Sequence, residues 1–413
     1  MKKIIALLLT LTLLAVLFIV PASAADTVTI EFWTVLTGGD GDTMQSMVDL
    51  FNQSQTEVHV NHTPMLASDM YEKVELAVQT QSEVPDVCLG HFNHIPQMVD
   101  NGTLTDLSAL TENGIDTANY PDWLIKADTI NGLLYGIPFD VHGVVAWANL
   151  DLLKKYGLSG IVDDRCLTFD EIAQCGEAIK AAGDAGSVYV CNYYQALYLY
   201  LRLYEEKGGV WLDENGAFTL DNDIFTQVIK DLRAINEAGY TVPVDAAEKN
   251  LFINGQSVFY TGGTWAKSWI QALSMNYMEL IPMSYSGDTG LISCNSHQFI
   301  QPVNDERTAE EDQAVAKFVQ WMGENSNIWA EKAGQVAVHS SVTNSEGFKA
   351  LPQAFIVSDE FAGHTQLLDY YYSSLLESAM AHVGLNPIYD TTIDPSSVGP
   401  GIVKEINDAI AQK

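Results

Sequence analysis

The sequence is short of basic residues. Twenty Lys and Arg stand against 53 Asp and Glu, a formal charge of −33 at pH 7. A field of that sign repels phosphate backbones and anionic headgroups, which excludes nucleic acid as a partner. Cysteine is scarce and odd in number, with Cys88, Cys166, Cys175, Cys191 and Cys294 well inside the chain. No two form a Cys-x-x-Cys redox or metal pair. Cys166, Cys175 and Cys191 are close enough in sequence for one disulfide in an oxidising compartment, with burial as small hydrophobes the alternative. A Gly-x-Ser-x-Gly nucleophile elbow and the Lys-Ser/Thr ending of a nucleotide loop are both missing, and with them two common catalytic frameworks. Beyond the N-terminal segment no apolar run is long enough to span a bilayer. Internal repeats and low-complexity stretches are absent too.

What remains is an ordinary globular composition in a long chain. With 413 residues, 47% apolar side chains, 13 prolines and 30 glycines, the chain exceeds what one core usually serves, and two lobes are expected. Lys2 and Lys3, the apolar run from Ile4 to Val20 and the small residues Ala22, Ser23 and Ala24 make residues 1–24 a secretory signal peptide cleaved near Ala24/Ala25. The small-residue exit favours this over an uncleaved membrane anchor. A diacylglyceryl anchor needs Cys just after the cut, where Ala25 and Asp26 stand, so lipid anchoring is not expected. The leader carries two lysines and no acid, so the mature chain is at −35.

Thr27 to Trp33 alternates β-branched and aromatic residues with polar ones and reads as a strand. Gly38 to Gly41 then breaks it and opens a helix with apolar positions Met44, Met47, Val48, Leu50 and Phe51. Strands at 58–60, 86–89 and 143–148 and a helix over 70–79 continue the alternation. This predicts an α/β layer structure with largely parallel sheets. Thr168 and Glu171 form a capping box that starts a helix running to about Ala182. Amphipathic stripes at 224–235 and 315–322 predict further helices. Asn215-Gly216, between Val210 to Leu212 and Ala217 to Leu220, predicts a hairpin; the acids around it lack calcium-loop spacing.

The turn at Gly38 to Gly41 offers backbone amides, but Asp40 and Asp42 repel phosphate. A neutral hydroxyl-rich ligand suits it better, with an unliganded turn the alternative. His59 and His62 sit on a strand at a spacing that sends them to opposite faces. His91 and His94 follow a strand end, where open α/β sheets bind ligands. Neither pair has the spacing of a zinc site, and no metal or other cofactor is expected. Tyr193, Tyr194, Tyr198, Tyr200 and Tyr204 crowd one segment, Tyr370 to Tyr372 another, and Trp265 follows a glycine pair. Flat rings beside polar groups are the chemistry that packs against sugars.

Taken in order, Ile30 to Trp33, Tyr71 to Val74, Val84 to Val87, Gly102 to Leu107, Leu134 to Phe139, Trp147 to Leu152, Leu167 to Glu171, Phe252 to Gln256 and Gly263 to Trp265 resemble one family. It is the extracellular solute-binding proteins of carbohydrate ABC transporters, family 1, the maltose-binding-like group. The resemblance covers nearly the whole mature chain. It implies a two-lobe α/β fold of the periplasmic-binding-protein-like type II class, with a ligand cleft between the lobes. Residues 26–140 with 297–345 would form lobe 1, and 143–292 with 346–413 lobe 2.

By the same resemblance a monomer captures a mono- or oligosaccharide without chemistry and delivers it to ABC permease subunits in the membrane. Ligand contacts carry over to Thr37, Asp40, His91, Asn93 and His94, to Asp140 or His142 at the first crossing, and to Tyr193 or Tyr194 and Trp265. Asn295, Ser296 and His297 match the return crossing, and Tyr371 a C-terminal aromatic position. His142 stands where maltose binders carry an acid. The rival readings are a secreted carbohydrate-active enzyme and a two-lobe binder of polyamines or metal ions.

Overall fold

The computed structural model describes residues 27–411, apart from 192, 243–247, 362, 368–372 and 382–385 and the side chains of 193–195 and 248. The expected leader and Tyr371 lie outside the described residues, as do the side chains of Tyr193 and Tyr194.

In chain order the strands are β1 (Val28–Thr34), β2 (Val58–Pro64), β3 (Val87–His91), β4 (Leu104–Thr105), β5 (Thr129–Ile130), β6 (Leu133–Leu134), β7 (Ile137–Pro138) and β8 (Asp140–Asn149). There follow β9 (Cys166–Thr168), β10 (Ser187–Cys191), β11 (Ser257–Gly263), β12 (Tyr277–Ser284), β13 (Ile292–Asn295), β14 (His297–Pro302), β15 (Val336–Ala337) and β16 (Thr365–Leu367). One sheet has the order β2-β1-β3-β14-β4, with β7 also on β14. A second has the order β10-β11-β8-β12-β9, with β13 and β15 on β8 and β16 on β13. The short β5 and β6 pair only with each other.

The first sheet begins as expected, with β1 parallel to β2 and β3 and helices Gly38–Ser54 and Ala67–Thr80 as the crossovers. The expectation of largely parallel sheets fails around β8 and β14. β8 runs antiparallel to β11, β12, β13 and β15, and β14 antiparallel to β3, β4 and β7. The reason lies in the connections. Phe139 alone separates β7 from β8, and Ser296 alone separates β13 from β14. The chain thus passes from one sheet to the other without the long crossover that a parallel neighbour requires.

All ten residues of β8 are buried, so both of its faces are covered. Val141, Val145 and Trp147 join the core that continues under the first sheet. Val144, Ala146 and Ala148 join the core on the opposite face. The strand period of two divides β8 between the two cores. Trp147 is fully buried, and truncating it to Ala would cost about 3–5 kcal/mol.

Local signals mostly match their elements. Thr168 and Glu171 form the capping box, and the helix Phe169–Ala182 ends at Gly183 in the left-handed region, φ +69°. The helices at Asn222–Glu237 and Ala309–Glu324 bury the expected stripes. The glycine segment differs: the helix starts at Gly38 itself, so Gly39 and Gly41 lie in its first turn rather than in a loop. A Cβ on Gly41 would stand 2.9 Å from the Leu36 carbonyl oxygen, so the entering chain packs directly on this backbone. Asn215-Gly216 makes a turn, with Gly216 at φ +78°, closed by the single bridge Leu212–Phe218 rather than by two strands. Asp213 accepts from the amides of Asn215 and Ala217, so a side chain holds this turn. All five cysteines are buried and none is in a disulfide. Among the described residues no helix is long and apolar enough to cross a membrane.

Candidate functional site

Strand ends converge where the two sheets meet. β1 leads through Val35 to Thr37 into the N-terminus of the helix Gly38–Ser54, β3 ends at His91, and a 3-10 turn after β11 carries Trp265. The two crossings add the start of β8, the end of β13 and the start of β14. Register then pairs residues distant in sequence: His297 lies opposite His91 and Asn295 opposite His142. These elements enclose a cavity of about 230 Å³.

Of the expected contacts, Thr37, Asp40, His91, His142, Trp265, Asn295 and His297 line this cavity. Tyr198, Ser293 and Gln335 join them, with Val35, Leu36, Gly143 and Val144 as the apolar part. Three expected residues stand behind the wall. Asp140 is fully buried. Asn93 is buried too, and its side-chain oxygen accepts from Asn295 Nδ2 at 2.9 Å. His94 stacks on Tyr71 with ring centroids 3.9 Å apart.

Asp140 organises the rings. Its carboxylate accepts from His142 Nδ1 at 3.1 Å, His297 Nδ1 at 2.8 Å, the His297 amide at 3.1 Å and Trp329 Nε1 at 2.6 Å. Ser296 Oγ donates to the Asp140 carbonyl. An ionised carboxylate only accepts, so both histidines donate to it from Nδ1. His91 Nδ1 meets Tyr71 Oη at 3.1 Å. His142 and His297 lie 4.2 Å apart between ring centroids, and Trp265 meets His142 edge-on at 5.8 Å.

A second set of bonds ties the walls together. Gln335 Nε2 donates to Asp40 Oδ2 at 2.9 Å while its oxygen accepts from Thr264 Oγ1 at 2.9 Å. Thr264 is the neighbour of Trp265, so Gln335 couples the acid to the indole. On the other side Glu377 accepts from Tyr198 Oη at 2.8 Å and from Asn93 Nδ2 at 3.1 Å.

The electrostatics follow from burial. Desolvation pushes Asp40 up to about 6, against the opposing pull of His297 and the Gln335 hydrogen bond. Glu377 is pushed to about 7 by burial, which its bonds from Tyr198 and Asn93 only partly offset. Burial would raise Asp140 as well, but His297 and the donated hydrogen bonds hold it well below the usual carboxylate range. Burial, then repulsion from His297, His142 and His94, takes His91 well below the ordinary imidazole value. His142 moves down for the same first reason. The cleft therefore presents imidazoles, amides, one half-buried acid and an indole, which is a surface for hydroxyl donors and acceptors.

Comparison with known proteins decides the family. The profile of the bacterial extracellular solute-binding protein family matches residues 46–356. The chain belongs to this family. Membership places it on the extracytoplasmic side. An arabinooligosaccharide-binding protein of Bacillus subtilis is 24% identical over 245 residues, an alignment covering 56% of this chain and 54% of the relative. The chain thus matches about half the length of that curated relative. Among solved structures, the cyclic alpha-maltosyl-1,6-maltose binding protein of Arthrobacter globiformis superposes with a TM-score of 0.72 at 19% identity, over 94% of this chain and 100% of that one. The maltotriose binding protein of Thermus thermophilus gives 0.72 at 16% identity, over 92% and 100%. The solute-binding chain therefore has the two-lobe periplasmic-binding-protein-like fold, and the relatives that share it are binding proteins.

Proposed function

We propose that the protein is the substrate-binding component of an ABC importer, capturing a sugar or oligosaccharide outside the cytoplasm and handing it to permease subunits. One observation carries this reading. Asp40, at a helix start beside the first sheet, and Trp265, at a turn after the second, face one cavity, and Gln335 in its wall joins Asp40 to Thr264, the neighbour of Trp265. A ligand that stacks on the indole and donates a hydroxyl to the acid touches both sides at once, and so favours the closed arrangement. The sugar-binding relatives named above support the ligand class.

We assign residues 26–140 with 297–345 to one lobe and 143–292 with 346–413 to the other. Support comes from strand membership: β1 to β4 and β14 share one sheet and β8 to β13 the other, while β15, from the first range, pairs with the first residues of β8. The protein acts as a monomer and performs no chemistry on its ligand. Among the described residues neither His142 nor His297 is hydrogen-bonded to a serine, threonine or cysteine that it could activate. The leader is removed near Ala24/Ala25 without a lipid anchor, which N-terminal sequencing and the mass of the secreted protein test.

Thermal-shift screening against arabino- and malto-oligosaccharides tests the ligand class. A true ligand at a hundred times its dissociation constant stabilises the protein by about 2.7 kcal/mol. Indifference to every neutral sugar would overturn the reading, and release of shortened products from the same sugars would replace capture with hydrolysis.

A further inference from the structure

We propose that the cleft holds a divalent transition-metal ion, bound by the imidazoles of His91, His142 and His297 with one coordination position open to the ligand cavity. The inference goes beyond carbohydrate capture and does not rest on it. One nitrogen of each ring lies within 4.8 Å of those of the other two. Three nitrogens each about 2.1 Å from one ion at tetrahedral angles stand roughly 3.4 Å apart. Binding would draw the three nitrogens together by at most about 1.4 Å.

The surroundings are those a metal site needs. Imidazoles that ligate a metal through one nitrogen hand the other to a carboxylate, a carbonyl or another acceptor that fixes the tautomer. Asp140 does this for two rings at once, accepting from Nδ1 of His142 and of His297. Its own position is set by Trp329 Nε1 and the His297 amide. Because Asp140 is fully buried behind the rings and both rings line the cavity, the free Nε2 atoms are on the cavity side. Tyr71 Oη takes the corresponding place at His91 Nδ1, 3.1 Å away. The buried carboxylate also supplies negative charge that an incoming dication would meet.

The donor set names the ion class. Three nitrogens without a thiolate suit Zn²⁺, Co²⁺, Ni²⁺ or Cu²⁺ over Mg²⁺ or Ca²⁺, which take oxygen ligands. Three protein ligands also leave a tetrahedral ion one vacant position, here toward the space lined by Asp40 and Trp265. The ligating residues come from β3, β8 and β14 on either side of both crossings, so a bound ion would clamp the region through which the chain passes between the sheets.

The test uses purified protein without a polyhistidine tag, stripped with a chelator. CoCl₂ is titrated while visible absorption is followed, and ZnCl₂ is titrated by calorimetry. We expect one equivalent bound, with the intense band of a low-coordinate cobalt site that zinc then bleaches. Tyr71→Phe deletes only the hydroxyl against His91 and should weaken zinc about 10–100-fold. His142→Asn should weaken it further still, and His59→Gln on the exposed side of β2 should leave one equivalent. Failure of the unmodified protein to bind either ion below millimolar concentration would overturn the proposal, whatever the fate of the variants. So would a triple His91→Asn, His142→Asn, His297→Asn variant that keeps the one-equivalent cobalt band. Both readouts are made without sugar, so their failure is distinct from failure of the carbohydrate reading.

Discussion

Asn93 Nδ2 donates to Glu377 Oε2 at 3.1 Å across 284 positions of sequence. The same carboxylate accepts from Tyr198 Oη, so the groups facing it are neutral and its burial is not balanced by a cation. Burial therefore wins, and the carboxyl is pushed from 4.5 to about 7. A carboxyl with a raised folded value binds more protons folded than unfolded. Its penalty is absent below the unfolded value and grows as pH rises through the window between about 4.5 and 7. Asp40, raised to about 6, and Glu279, raised to about 8 by burial against Lys267 and Arg165, act in the same direction. The ligand-free melting temperature should thus fall between roughly pH 5 and 8, and Glu377→Gln should remove part of that slope. Scanning fluorimetry across this range checks it. A flat profile in the unmodified protein would show that these acids are ionised without penalty.

Asp140 works with the opposite sign. Its folded value is held low, so the stability it confers is present at neutral pH and lost as pH falls through the unfolded aspartate value of about 3.8 and below. Asp140→Asn would put an amide among four N–H donors and leave part of that set without an acceptor. The expected cost is about 3 kcal/mol or more. Thr168→Ala, which removes one helix cap, should cost only about 1 kcal/mol. Urea unfolding of the two variants gives the comparison directly. Equal midpoints would mean that Asp140 is not the anchor of the histidine rings.

Legibility from sequence follows how local each signal is. The Thr168 capping box is written in two residues three apart and appears where expected. Asp140 and His142 are two apart on a strand, which places them on one face, and there Asp140 reaches the ring. That face is turned to the interior at Asp140 and to the cavity at His142, a distinction set by β13 and β15 packing on β8 and invisible in the spacing. Strand direction is likewise non-local, which is why β8 and β14 defeat the parallel expectation. The meeting of His91 with His297 depends on register between β3 and β14. Gln335 and Glu377 carry no motif at all; each is a single polar residue in an ordinary segment. Tyr198 lay in a tyrosine-rich run, and only the helix phase of Tyr193–Glu206 directs it to the cleft.

The cysteines give a redox prediction. All five are buried and in no disulfide, and desolvation pushes Cys166, Cys175 and Cys294 to about 12. A protonated, inaccessible thiol neither attacks nor is attacked. A chromogenic disulfide reagent should therefore titrate none of them in the native protein and all five in denaturant. Dithiothreitol should leave the melting temperature unchanged. Three thiols in denaturant under non-reducing conditions would instead reveal one disulfide among Cys166, Cys175 and Cys191.

Gln335 offers a test of how the cleft is held, separate from what it contacts. Asp40→Ala removes an ionised acceptor, and a lost hydrogen bond to a charged group costs about 1.5–3 kcal/mol, roughly 10- to 150-fold in affinity. Trp265→Ala removes the stacking face and should cost a similar factor. Gln335→Ala should weaken binding as well, because Asp40 and Thr264 both lose the partner that orients them. If Gln335 acts through Asp40, the two losses share one cause. The double variant Asp40→Ala, Gln335→Ala should then bind no more weakly than Asp40→Ala by more than a few-fold, whereas Asp40→Ala with Trp265→Ala should lose nearly the product of the two factors. Calorimetry with whichever oligosaccharide gives the largest thermal shift supplies the cycle. Full additivity between Asp40 and Gln335 would mean that Gln335 meets the ligand itself.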